Sequence, residues 1–188
     1  MNNLLVWPER LPASLDGLYE AAAAGLGAPT WTVLPSLDAL ELLPAEEDEP
    51  TSALIVIGAA PGAGAAEVIA GLEAIARHPS LNLAVVVGDG YLGTDTADLG
   101  GSLAAAAAVT AVRSLATRKD GSTRANVICV PIGLFESGTS QRGPIPQQVE
   151  AADLAAAAVY LLGEAGAYLN GQVLYVNGGR QLFSSHTA

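Results

Sequence analysis

Residues 149–183 read VEAADLAAAAVYLLGEAGAYLNGQVLYVNGGRQLF. They break into a helix, a turn and a strand. Val149, Leu154, Ala158, Leu161 and Leu162 recur near helical spacing. Glu150 and Asp153 put acids in the first turn, where the positive end of the helix dipole favours them. Asn170-Gly171 is a turn signal, and Gln172-Val-Leu-Tyr-Val176 is a β-rich run closed by Asn177-Gly178-Gly179.

This order and spacing of helix, GQ and NGG resembles the C-terminal end of the short-chain dehydrogenase/reductase (SDR) family. There a helix, a strand of the form (I/L)xGQxLxVDGG and a short tail complete the sheet and build a subunit interface. Asn177 stands where the family usually has Asp. The resemblance covers residues 81–183 well and residues 1–80 in outline. It implies an α/β fold, a shortened Rossmann-like doubly wound parallel sheet flanked by helices. On this reading residues 1–188 form a single Rossmann-like domain, about one βα unit smaller than the full family fold.

Composition sets the outer bounds. A chain of 188 residues suits one domain with a real core, and 51% hydrophobic residues argue against disorder. The formal net charge of −11 makes nucleic acid a poor partner, because phosphate recognition needs basic patches. Cys129 stands alone in an apolar run, so no internal disulfide forms and an inert core position is expected. His78 and His186 lie far apart, and with one Cys no zinc spacing exists. The apolar stretch 103–112 is far short of the roughly 20 residues a membrane helix needs. No charged n-region precedes an apolar block at the start, so a cytoplasmic globular protein is expected.

Leu4-Leu-Val-Trp7 reads as a short buried strand stopped by Pro8. Leu15, Leu18, Tyr19 and the alanines to Ala24 suggest a helix with Ser14 as N-cap, and Trp31–Leu34 a second strand. This is the opening βαβ unit of a Rossmann-type sheet. Where the SDR family carries TGxxxGxG after its first strand, this chain has Pro8-Glu-Arg-Leu-Pro12. Glycines there let backbone approach the cofactor pyrophosphate at a helix N-terminus. Two prolines remove N–H donors, and Glu9 brings a negative charge to the place of the phosphates. The acidic run Ala45–Pro50 reads as solvated loop.

Ala53–Ile57 reads as a buried parallel strand, followed by a glycine loop, a helix to about Arg77 and a strand at Leu83–Val87. Gly58, Gly62 and Gly64 reproduce GxxxGxG, and Asp89 ends the next strand where an acid would hold a ribose. Residues 53–89 are therefore an alternative dinucleotide-binding unit. Against it, Gly and Ala are abundant here, and a βαβ pattern already precedes the loop. Residues 53–57 are read instead as the fourth family strand, with Gly58-Ala-Ala60 standing for its NAG turn.

In the SDR family a Ser ends the fifth strand, and a Tyr-x-x-x-Lys pair lies on one face of the next long helix. Tyr is the acid/base, Lys lowers its pKa and holds the nicotinamide ribose, and Ser orients the substrate carbonyl. Ala111–Ala116 resembles the TKSLA segment that follows, with Arg124–Pro131 as the sixth strand. Counting back from Ser114 at family spacing puts Gly101 at the Tyr position, Ala105 at the Lys position and Gly88 at the Ser position. No register shift restores the pair: Lys119 is the only lysine, and none of the five tyrosines has a Lys four residues on. Tyr91 lies near the vacated site, where it would pack in the core or rim or fill that site.

Gly100-Gly101 would cost a helix roughly 1 kcal/mol each relative to Ala, so the long helix is expected to start at an N-cap on Ser102. It is apolar almost all round, which argues burial on several sides. In the family this helix packs on its copy in another subunit. The expected interface is Ala104, Ala107, Ala108 and Ala111 on that helix, with Tyr168, Val173, Tyr175, Leu182 and Phe183 near the C-terminus. Between Pro131 and about Gln148, glycines and prolines leave little room for the family's substrate lid.

The resemblance thus implies a pseudoenzyme. It would be a non-catalytic subunit of a hetero-oligomeric SDR-type ketoreductase or hydroxyacyl dehydrogenase. Its partner would be a full-length catalytic SDR-type subunit, in a heterodimer or heterotetramer, carrying the NAD(P). Two other readings stay open: an NAD(P)-dependent oxidoreductase using the Gly58–Gly64 loop, and a homo-oligomeric binding module for an acyl or other small ligand.

Overall fold

The computed structural model describes residues 4–28, 30–36, 51–57, 65–76, 80–92, 99–118, 123–135, 144–145 and 147–184. In chain order the elements are β1 (Leu4–Trp7), α1 (Leu18–Gly25), β2 (Trp31–Val33), β3 (Thr51–Val56), α2 (Ala65–Ala76) and β4 (Leu81–Gly88). They continue with α3 (Leu99–Leu115), β5 (Thr123–Val130), α4 (Ala151–Leu162), β6 (Val173–Tyr175) and the short α5 (Gln181–Ser184). The six strands are parallel, in the order β2-β1-β3-β4-β5-β6. β3 pairs with β1 on the side away from β2, so the sheet reverses its growth between β1 and β3. That is the switch point of a doubly wound sheet, and it puts residues 53–57 where the fourth strand of a 3-2-1-4-5-6 order stands.

Side chains alternate across the strands, and both faces are covered. Leu5, Ile55, Val85 and Val127 point into the core beneath α2 and α3. Leu54, Val86 and Ile128 point the other way, under α1 and α4. Cys129 is buried in the α2/α3 core, as its apolar setting led one to expect. Among the described residues no helix is long and apolar enough to cross a membrane.

Three local expectations are corrected. Ser14 does not cap α1: its hydroxyl donates to the Leu134 carbonyl, and Gly17 in left-handed conformation (φ 77°) precedes the helix. The long helix starts at Leu99, so Gly100 and Gly101 lie in its first turn and Ser102 is internal. First-turn N–H groups have no acceptor within the helix in any case. Burial of Ala104, Ala105, Ala108, Val109, Val112 and Leu115 along the rest of α3 outweighs two glycines at its start. Ala104 and Ala108 (2% and 0% exposed) sit within this chain's own core. A helix that is apolar nearly all round has no polar stripe from which its orientation can be read.

β6 is threaded onto β5 by two asparagines. Asn170 Oδ1 accepts from the Ala125 N–H (2.9 Å), and its Nδ2 donates to the Ala116 carbonyl (3.0 Å). The buried Asn126 donates to the Leu169 carbonyl (2.9 Å) and accepts from the Gln172 N–H (3.0 Å). At the opposite edge of the sheet from the strand C-termini, Arg124 caps α4, donating to the Leu162 and Gly163 carbonyls (2.9 and 3.2 Å) and to Asn82 Oδ1 (3.2 Å). Burial pulls its pKa down, but a guanidinium remains charged near neutrality. The two carbonyl bonds make Arg124 a cap on the end of α4, and the third ties it to β4.

Candidate functional site

In open α/β sheets ligands bind beyond the carboxyl ends of the strands. Here β4 ends at Gly88-Asp89, β5 at Val130-Pro131 and β6 just before Asn177. A 3-10 turn (Asp89–Leu92) follows β4, and another (Ile132–Leu134) follows β5.

Gly88 pairs with Val130, and Ile132 lies over it. A Cβ at position 88 would stand 3.4 Å from the Cα, Cβ and Cγ1 of Ile132, in van der Waals contact with that residue. At Gly90 an added Cβ would lie 2.8 Å from Ile132 Cδ1 and 3.1 Å from Ser102 Oγ. Ser102 Oγ is itself buried without a hydrogen-bond partner among the described residues. Gly101 is half-buried in the first turn of α3, and Ala105 is 4% exposed within the α2/α3 core. The three positions thus carry no functional group, and two of them are covered by packing. The side chain of Tyr91 lies outside the described residues.

Asp89, 7% exposed, is the one buried carboxylate among the described residues. Its Oδ1 accepts from the Ile132 N–H (3.0 Å) and its Oδ2 from Asn177 Nδ2 (3.3 Å). Arg180 Nε stands 3.6 Å from the same Oδ2. Both oxygens are engaged inside the chain, so the role of holding a ribose would require breaking these contacts. Sequence reasoning found Asp89 but not its partners. The departure at Asn177 was the available signal. The alternative cofactor residues Gly58, Gly62 and Gly64 lie outside the described residues.

After β1 the chain runs through Pro8, Glu9 and Pro12 into a 3-10 turn (Ala13–Leu15). Leu15 and Leu18 are fully buried, and Ser14 ties this loop to Leu134 beyond β5. Tyr19 donates its hydroxyl to the Pro8 carbonyl (2.8 Å), and burial pushes its pKa up. Tyr19 therefore remains a neutral phenol near neutral pH.

Of the expected interface residues outside the core, Ala107 and Ala111 are half-buried on α3, as are Val173 and Tyr175 on β6. Tyr168 is fully exposed and Leu182 is 62% exposed. The side chain of Phe183 lies outside the described residues. The turn after β6 is held over this chain's own β4 end by Asp89. Among the described residues no group of three His, Cys, Asp or Glu is placed to hold a metal.

This arrangement has the fold of short-chain dehydrogenase/reductases. A short-chain type dehydrogenase/reductase from Mycobacterium ulcerans superposes with a TM-score of 0.65 at 17% identity, covering 99% of this chain and 94% of that one. A putative short-chain dehydrogenase/reductase from Burkholderia xenovorans gives 0.67 at 14%, covering 96% of each. Plasmodium berghei enoyl-acyl-carrier-protein reductase, solved with triclosan, gives 0.69 at 10%, covering 97% of this chain and 98% of that one. No family model and no curated protein matches the sequence.

Proposed function

We propose that this chain is a non-catalytic subunit of a hetero-oligomeric SDR-type oxidoreductase, of ketoreductase or hydroxyacyl dehydrogenase type, and that it supports an active partner which carries the NAD(P). One observation supports this above all. The positions that match the family's Ser, Tyr and Lys hold Gly88, Gly101 and Ala105, and Ile132 and the α2/α3 core fill the space around two of them. A second supports the partner. The outer surface of α2 and α3 exposes Ile69, Leu99 and Leu103 (43%, 61% and 53%), beside the half-buried Ala107 and Ala111. Such side chains suit coverage by another subunit. The proline-bearing loop after β1 also lacks the features that would cradle a pyrophosphate.

The test on the isolated chain is calorimetric titration with NADH and with NADPH. The expected result is no binding up to high-micromolar cofactor. Micromolar binding would overturn the reading and favour an oxidoreductase using the Gly58–Gly64 loop, most clearly if Gly62→Asp abolished it.

A further inference from the structure

Asp89 joins three segments that are remote in sequence. It stands at the end of β4, takes the Ile132 N–H from the turn after β5, and holds Asn177 and Arg180 from the turn after β6. We propose that Asp89 and Asn177 form an acid–amide latch, with Arg180 on its cationic side, that folds residues 177–184 over the vacated end of β4 and keeps this chain's own site shut.

The pairing has a direction. An ionised carboxylate only accepts hydrogen bonds, so the side chain facing it must donate. An amide does so, whereas a second carboxylate would repel it in a site from which water is excluded. Asn177 is 2% exposed and cannot turn to solvent. Its Oδ1 is left buried with no hydrogen-bond partner among the described residues, which is the arrangement expected if Asp89 dictates the orientation of the amide. Asparagine at 177, where the family resemblance leads one to expect aspartate, is thus the change that an acid at 89 requires.

The turn is also held from its far side. Gly178 and Gly179 take left-handed conformations (φ 63° and 83°), and the Gly178 carbonyl accepts from the Ile145 N–H (3.1 Å). A Cβ at Gly179 would lie 3.2 Å from the ring of Pro144. Arg180, with a side chain only 17% exposed, is thereby delivered beside Asp89, one residue from the vacated serine position.

Amide hydrogen exchange on the isolated full chain tests the latch without reference to any partner, so its outcome is separate from that of the subunit reading. Asn177→Asp should speed exchange of residues 177–182 by about tenfold or more. The swap Asp89→Asn/Asn177→Asp restores an acid facing an amide with the roles exchanged, and exchange should return to near the original rate. If Asn177→Asp alone does not fold, recovery of a folded protein in the swap is the same result. Arg180→Gln, a milder change, should speed exchange at 177–184 while leaving α4 unaffected. Unchanged exchange in Arg180→Gln and Asn177→Asp, or a swap no better than Asn177→Asp alone, would overturn the proposal.

Discussion

Lysine in place of Ala105 is expected to destabilise the fold by at least about 4 kcal/mol, the range in which a single substitution points to a specific internal fault. Position 105 is where the family's active-site lysine would stand. In this chain it is 4% exposed and packed with Ala104, Ala108 and Val109 beneath α2 and beside the sheet. The longer side chain overpacks that layer, at typically 1–3 kcal/mol. Its ammonium is then either buried without a carboxylate or neutralised at a further cost. Urea unfolding should show a midpoint far below that of the unaltered chain. The combination Gly88→Ser/Gly101→Tyr/Ala105→Lys should be no better folded and should show no reductase activity. A well-folded Ala105→Lys of ordinary stability would mean that the position opens onto a cavity, and that the site is vacant rather than filled.

Gly166→Ala should be nearly as damaging, for a different reason. Gly166 lies in the 3-10 turn (Glu164–Gly166) that closes α4, and it packs against backbone rather than side chains. An added Cβ would collide with the Tyr160 carbonyl oxygen and stand 3.1 Å from Leu161 Cα and 3.2 Å from the Leu161 carbonyl oxygen. No rotamer change relieves a clash with the last turn of the same helix. The expected loss is about 3 kcal/mol, at the upper end for overpacking, or a fall in Tm of about 6–12 °C for a chain of this size. Gly17→Ala is the control. Gly17 has φ 77° and nothing within 4 Å of an added Cβ, so only the left-handed penalty of roughly 1–2 kcal/mol applies. Equal thermal shifts for the two variants would contradict the backbone clash.

Much of the fold was legible because the strands are continuous apolar runs. Leu4–Trp7, Thr51–Val56, Leu81–Gly88 and Thr123–Val130 are buried on both faces, and the last three each carry at least three β-branched residues. The closing helix and strand carried their own punctuation. The Asn170-Gly171 turn sets β6 on β5, and the Glu150 N–H donates to Asp153 Oδ2 (2.9 Å) at the start of α4. Two helix starts were misread because a cap is a local preference that distant contacts override. Ser14 is claimed by the Leu134 carbonyl, and Gly100-Gly101 is carried into α3 by the burial that follows.

The vacant positions could be counted from spacing alone, since they depend only on which residue types stand where. What occupies them could not. Ile132 over Gly88, and Asp89 with Asn177 and Arg180, depend on which strand ends the topology brings together. Two of the nine expected interface residues, Ala104 and Ala108, lie in the core for a related reason. With alanine on nearly every face of α3, only the sheet and α2 decide that Ala104 and Ala108 point inward while Leu103 points out.

On the proposed function, this chain supports an active subunit and does no chemistry itself. The most direct measurement is NADH- and NADPH-dependent carbonyl reduction by the complex isolated through this chain from its native host, before and after this chain is removed and added back. The expected result is a co-isolated chain that carries the Tyr-x-x-x-Lys pair, with activity that falls on removal of this chain and returns on its addition. Activity that is indifferent to this chain, or recovery of this chain only as a stable assembly of its own copies, would contradict it.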